Sequence, residues 1–295
     1  MNSRLSRRQF AASAAAALAS SAFAGSPKLP IKKAVLLSMI PADLSLKERF
    51  QLAAGCGFEA VEAHTMSEPK LVAETQEAAA AAKIPIHSVM NSDHWKFPLS
   101  SADPATVDKC LEGMRTSLHN AKQWGATTVL LVPAVVDAKT SYADAWKRST
   151  LGIKKLLPLA KELKVAIAVE NVWNKFLLSP LEFNNYVDSF KSPYLKAYFD
   201  VGNIALYGYP HDWIRALGPR IAKLHLKDFR FQKRVAEFVA LRDGDIDWPA
   251  IYQALTDIKY SGYATVELNR GDGAYLKEVS RRVDLILTDT PKSAS

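Results

Sequence analysis

Val165-Ala166-Ile167-Ala168-Val169-Glu170-Asn171 is a short apolar run that ends abruptly in a carboxylate and an amide. The pattern returns three times further along the chain. The run 195–199 ends in Asp200-Val201-Gly202-Asn203, the run 221–226 carries His225 and leads into Lys227-Asp228, and 264–266 ends in Glu267-Leu268-Asn269. Short, near-continuous apolar runs mark strands covered on both faces, as in a parallel sheet. Earlier runs at 34–37, 58–62, 85–89 and 127–132 have the same character. Amphipathic stretches lie between them, at 45–54, 68–82, up to Trp124 after a polar loop 91–103, 142–163, and finally to about Leu287. Eight strands, each followed by a helix, predict a single (β/α)8 TIM barrel over 33–287. The rival, a doubly wound open sheet, lacks support: no Gly-x-Gly-x-x-Gly follows any strand, and no composition break marks a second domain.

The segment 1–24 is a different material. Ser6-Arg7-Arg8-Gln9-Phe10 precedes an Ala/Ser/Leu-rich stretch that closes on Ala22-Phe23-Ala24. A basic start, an apolar middle and a small-x-small end describe a secretory signal, and the paired arginines describe its twin-arginine form. The expectation is delivery by the twin-arginine export machinery to the periplasm or another extracytoplasmic space. A mature N-terminal segment 25–32 then leads into the barrel, and 288–295 forms a tail.

The formal charge of +8 falls to +5 without Arg4, Arg7 and Arg8. The remaining lysines and arginines are mixed with acids, so no basic block suits nucleic acid. No apolar run in the body of the chain reaches the roughly 18 residues of a membrane span. Two cysteines, Cys56 and Cys110, make no disulfide framework and are expected as buried thiols. A homo-oligomer is compatible with the sequence.

In a barrel, the C-terminal strand ends converge on one site. Glu170, Asp200, His225 and Glu267 stand at four successive strand ends. A carboxylate at one such end is commonly a cap or a solvated residue, but four metal-competent side chains in a row form a ligand set. Three oxygen donors and one imidazole suit one divalent ion, Mn²⁺ foremost, with Mg²⁺, Co²⁺ or Zn²⁺ also compatible. No thiolate joins them, which disfavours a structural zinc.

The phrases Glu170-Asn171-Val172-Trp173-Asn174, Phe199-Asp200-Val201-Gly202-Asn203, His225-Leu226-Lys227-Asp228-Phe229 and Gly244-Asp245-Ile246-Asp247-Trp248 carry a family resemblance. With the quartet, they resemble the sugar phosphate isomerase/epimerase family of xylose isomerase-like TIM barrels, in its ketose 3-epimerase-like branch. The resemblance covers nearly the whole mature chain. It implies a carbohydrate substrate and an isomerisation or epimerisation through an enediolate. Glu170 and Glu267 would then bind the metal and also act as acid and base, with Asp200 and His225 as ligands. Many relatives carry His three residues after the metal Asp, where this chain has Asn203; an amide holds a hydroxyl but moves no proton near neutrality.

Around this centre, Lys227, Lys175 and Arg230 are candidates to meet negative charge on the substrate. His87 on the third strand and Asn91 in the polar loop are candidate substrate contacts. Trp173, with Trp95 and Tyr207, is placed in loops where a ring can stack on a sugar. Glu62 and His64 end the second strand. Two other readings stay open beside the isomerase: a metal-dependent lyase eliminating from 3-keto-sugars or glycosides, and a non-catalytic sugar-binding barrel. Endonucleases built on this barrel need more ligands and a basic groove, which the sequence lacks.

Overall fold

Strand β1 (Lys32–Leu36) pairs in parallel with β2 (Ala60–His64) on one side and with β10 (Tyr263–Val266) on the other, so the sheet has no edge. Between them run β3 (Ile86–Met90), β4 (Thr128–Leu131), β5 (Ala166–Glu170), β6 (Leu195–Asp200) and β7 (Ile221–Leu226), giving the closed eight-stranded parallel barrel expected. The structure, a computed structural model, describes residues 26–291. The expected signal 1–24 lies outside them. Among the described residues no helix is long and apolar enough to cross a membrane.

The outer layer holds α1 (Leu46–Gly55), α2 (Pro69–Ala82), α3 (Pro104–Trp124), α4 (Tyr142–Leu163) and α5 (Pro180–Ser189). It continues with α6 (Val201–Ile204), α7 (Pro210–Leu217), α8 (Trp248–Asp257) and α9 (Gly273–Leu287). Their starts are written in the sequence. Ser45 and Glu48 form a reciprocal capping box on α1, and Asp103, Ser141, Ser179 and Asp272 accept from the first free amides of α3, α4, α5 and α9. These caps satisfy donors the helices leave unpaired.

The main core fills the space between strands and helices, and Cys56 and Cys110 are buried in it as free thiols. The barrel interior is different. Its apolar part is small, Leu130, Ala168 and Tyr198, and beside it lie buried Glu62, His87, Ser88, Lys223, His225 and Thr265. Branched aliphatic side chains usually occupy that space.

The sequence expectations lack one element. Strands β8 (Asp228–Gln232) and β9 (Val235–Val239) form an antiparallel hairpin directly after β7. Its base is fastened by buried Asp228, whose carboxylate accepts from the amides of Arg242 (2.6 Å) and Gly244 (3.2 Å) and from Trp248 Nε1 (3.0 Å). A Cβ on Gly244 would lie 2.2 Å from Asp228 Oδ1, so glycine is required there. The phrases His225–Phe229 and Gly244–Trp248, distant in the sequence, thus touch in the fold.

Candidate metal and acid–base centre

Parallel register sets the floor of the site. Asp200 is in register with His225, and Glu170 with Tyr198, so the ends of β5, β6 and β7 present their polar side chains at adjacent heights. Glu267 follows β10, the other neighbour of β7. One ligand atom from each of Glu170, Asp200, His225 and Glu267 lies within 4.8 Å of all the others. Three of the four are buried; Glu267 alone is partly open, with 26% of its side chain exposed.

His225 is the hub. Its Nδ1 lies 2.9 Å from Glu170 Oε1, 2.8 Å from Glu267 Oε2 and 3.8 Å from Asp200 Oδ2. One hydrogen on Nδ1 cannot serve three carboxylate oxygens. Buried Asp200 Oδ2 and Glu267 Oε2 also lack a hydrogen bond of proper geometry, although Lys227 Nζ reaches them as an ion pair at 3.0 and 2.9 Å. Convergent, under-satisfied oxygens around one imidazole nitrogen fit a divalent cation in both donor type and number.

The electrostatics separate the two glutamates. Burial pushes the Glu170 carboxyl up to about 7, against the pull of His225. Burial opposes ionisation of Glu267 too, but His225 and Lys227 together outweigh it and hold that carboxyl well below the usual range. His225 responds in kind. Burial favours its neutral ring, yet Glu62 and Glu267 hold the imidazolium well above its ordinary pKa. Lys227 is likewise raised, since Asp200 and Glu267 overcome its desolvation.

The outer candidates divide. Asn203 is buried at the start of α6; its amide N–H donates to Asp200 Oδ1 (2.8 Å) and its Nδ2 to the Asn171 carbonyl (3.2 Å). Trp173 is part-exposed, donates to the Asn203 carbonyl (3.0 Å) and stacks on Phe238 of β9 with centroids 5.0 Å apart. Lys227 lies under the same ring, 5.3 Å from its centroid. The unexpected hairpin therefore supplies a wall of the site. A cavity of about 480 Å³ opens between β9 and the loop after β10, lined by Lys227, Phe238, Glu267, Arg270 and Tyr275 among others.

Three candidates are engaged elsewhere and a fourth, Lys175, is exposed. His87 is buried in the barrel, its Nε2 2.9 Å from Thr265 Oγ1 and its ring stacked on Tyr263. Asn91 is buried and donates to Ser117 of α3 (3.0 Å). Arg230 pairs with Glu237 across the hairpin (3.5 Å) and donates to the Asp243 carbonyl. Lys175 is exposed in the loop after β5, with a left-handed φ of 57°.

Known proteins match this picture. SgbU of Escherichia coli K12, named provisionally as an L-ribulose-5-phosphate 3-epimerase, is 28% identical over 241 residues, covering 77% of this chain and 84% of its own. The D-allulose 3-epimerase of a Methylomonas species, solved with D-allulose, superposes with a TM-score of 0.68 at 19% identity, covering 83% of this chain and 86% of its own. The 3-keto-D-glucoside 4-epimerase YcjR of Escherichia coli superposes with a TM-score of 0.73 at 12% identity, covering 87% and 98%. Fold, site and relatives define the class, an enzyme of the sugar isomerase and epimerase group. The chain belongs to the xylose isomerase-like TIM barrel family, whose profile matches residues 50–284.

Proposed function

We propose that this chain is a metal-dependent isomerase or epimerase of a ketose-like sugar, with Glu170 and Glu267 as its acid–base pair. The observation that carries this reading is the convergence of both glutamates and Asp200 on His225 Nδ1, at 2.9, 2.8 and 3.8 Å. A divalent cation held by Glu170, Asp200, His225 and Glu267 would polarise the sugar carbonyl and lower the cost of charge on its oxygens. The residues do the rest. Glu267, ionised and open to the cavity, removes the proton from the carbon beside the carbonyl and leaves an enediolate. Glu170 delivers a proton to that carbon from the other face, and exchange of both carboxyl groups with solvent water restores their starting states. Lys227, already paired with Asp200 and Glu267, keeps positive charge beside the developing anion. Asn203 and Trp173 border this space, where an amide suits a hydroxyl and an indole suits a sugar face.

A second reading keeps the same carboxylates but lets the enediolate expel a group, a lyase on 3-keto-glycosides. The part-exposed Trp173–Phe238 stack favours it, since two parallel rings at the mouth suit a second ring of the substrate. The ion-loaded protein incubated in D2O separates the two. Deuterium at one carbon of an epimeric or isomeric ketose supports the isomerase, and a released aglycone with an unsaturated sugar supports the lyase. No exchange and no product with ketoses or 3-keto-glycosides, under any of the four metals, would overturn both.

The reading includes twin-arginine export, supported by Arg7-Arg8 ahead of the Ala-rich stretch. Cell fractionation is expected to find the protein outside the cytoplasm and to find the Arg7→Lys/Arg8→Lys variant retained. Equal distribution of the two would remove export from the proposal.

A further inference from the structure

Glu62 is a wholly buried carboxyl inside the barrel. It lies on β2 in register with Leu36 of β1 and Ser88 of β3, and reaches Tyr198 and His225 inside the barrel. A carboxylate in such a place carries a large desolvation penalty unless it is thoroughly bonded. No lysine or arginine forms an ion pair with it among the described residues. Instead its Oε2 accepts from Tyr198 Oη at 2.5 Å and from His225 Nε2 at 3.0 Å, and its Oε1 accepts from Ser88 Oγ at 3.4 Å. β2 and β7 are not neighbours in the sheet, so the contact with His225 crosses the barrel axis. An aliphatic side chain would fill this space at lower cost.

The other nitrogen of the same imidazole faces the three carboxylates. A neutral imidazole carries its hydrogen on one nitrogen and a lone pair on the other. With the hydrogen on Nε2 and given to Glu62, the lone pair on Nδ1 points at the place where Glu170, Asp200 and Glu267 converge. Tyr198 fixes Glu62 in turn, and Thr265 touches Tyr198 Oη at 3.4 Å. Outer carboxylates that hold a metal-binding histidine in this way set its tautomer and its ring angle.

We propose that Glu62 is the positioning residue of this centre: it fixes His225 in the Nε2–H form and thereby makes Nδ1 a metal ligand. The proposal rests on the reading that the quartet binds a divalent cation. Its test is calorimetric titration of the full, metal-free protein with Mn²⁺ alone, for wild type, Glu62→Gln and Tyr198→Phe, each with a melting curve. Glu62→Gln is expected to weaken Mn²⁺ binding about 10–100-fold. Tyr198→Phe, which leaves the carboxylate in place, is expected to weaken it less. A folded Glu62→Gln protein that binds Mn²⁺ as wild type does would overturn the proposal and leave the metal reading intact. A wild-type protein that binds no divalent cation would overturn both. A second measurement needs no variant. In the Zn²⁺-loaded wild type, proton–nitrogen correlation NMR is expected to find the His225 hydrogen on Nε2 in slow exchange. A hydrogen on Nδ1 would refute the assignment even if Glu62→Gln failed to fold.

Discussion

Glu267→Gln is expected to lower kcat by about 10²- to 10⁴-fold, the usual worth of a positioned acid or base, while leaving a folded barrel. Gln keeps the shape of Glu and can still accept from His225 and Lys227, so the packing around 267 changes little. What it loses is the capacity to take a proton. The expected signature is a fall in kcat with KM moved far less, because the group acts on the reacting carbon. Deuterium wash-in from D2O should fall with turnover, since both read the same proton removal. A Glu267→Gln enzyme with wild-type kcat would sink the acid–base assignment and leave Glu267 at most a ligand.

The second large effect falls on stability. Lys227 Nζ lies 3.0 Å from Asp200 and 2.9 Å from Glu267, with only 12% of its side chain exposed. Its ammonium is the fixed positive charge held among these carboxylates. Lys227→Met is therefore expected to cost about 3 kcal/mol in the metal-free protein, the loss typical of stripping one partner from a buried pair. In a chain of this size that lowers Tm by roughly 6–12 °C. Saturating Mn²⁺ supplies the missing charge and should close most of the gap. Melting curves of wild type and variant, in chelator and in Mn²⁺, read both arms. A variant that melts with wild type in chelator would show that Lys227 does not balance the cluster.

The quartet is legible in the sequence because a barrel sends every strand's C-terminal end to one place; position in the strand already gives position in space. Glu62 is not legible in that way. It lies in the middle of a strand, not at the end where the quartet stands, and its partner His225 lies 163 residues away. His87 illustrates the reverse case: a histidine on a strand reads as a site residue, and the structure engages it with Thr265 and Tyr263 inside the barrel. Lys227 reads as a cation for the substrate, while its nearest partners are the protein's own carboxylates. The hairpin escapes because its turn, Lys233-Arg234, lacks the glycine or asparagine that announces such turns.

That turn has a practical consequence. Lys233 and Arg234 adopt φ of 50° and 66°, the left-handed backbone a two-residue hairpin turn requires, without the residues that adopt it cheaply. The hairpin keeps its place through its base, where Asp228 gathers the amides of Arg242 and Gly244 and the Trp248 indole, and through the aromatic stack on its flank. Its tip is exposed and owes nothing to the chemistry below. It is a handle. A fluorophore or a tether joined at 233 or 234 would ride on the strand pair that walls the pocket, and would report on what enters there without touching any residue that binds or reacts.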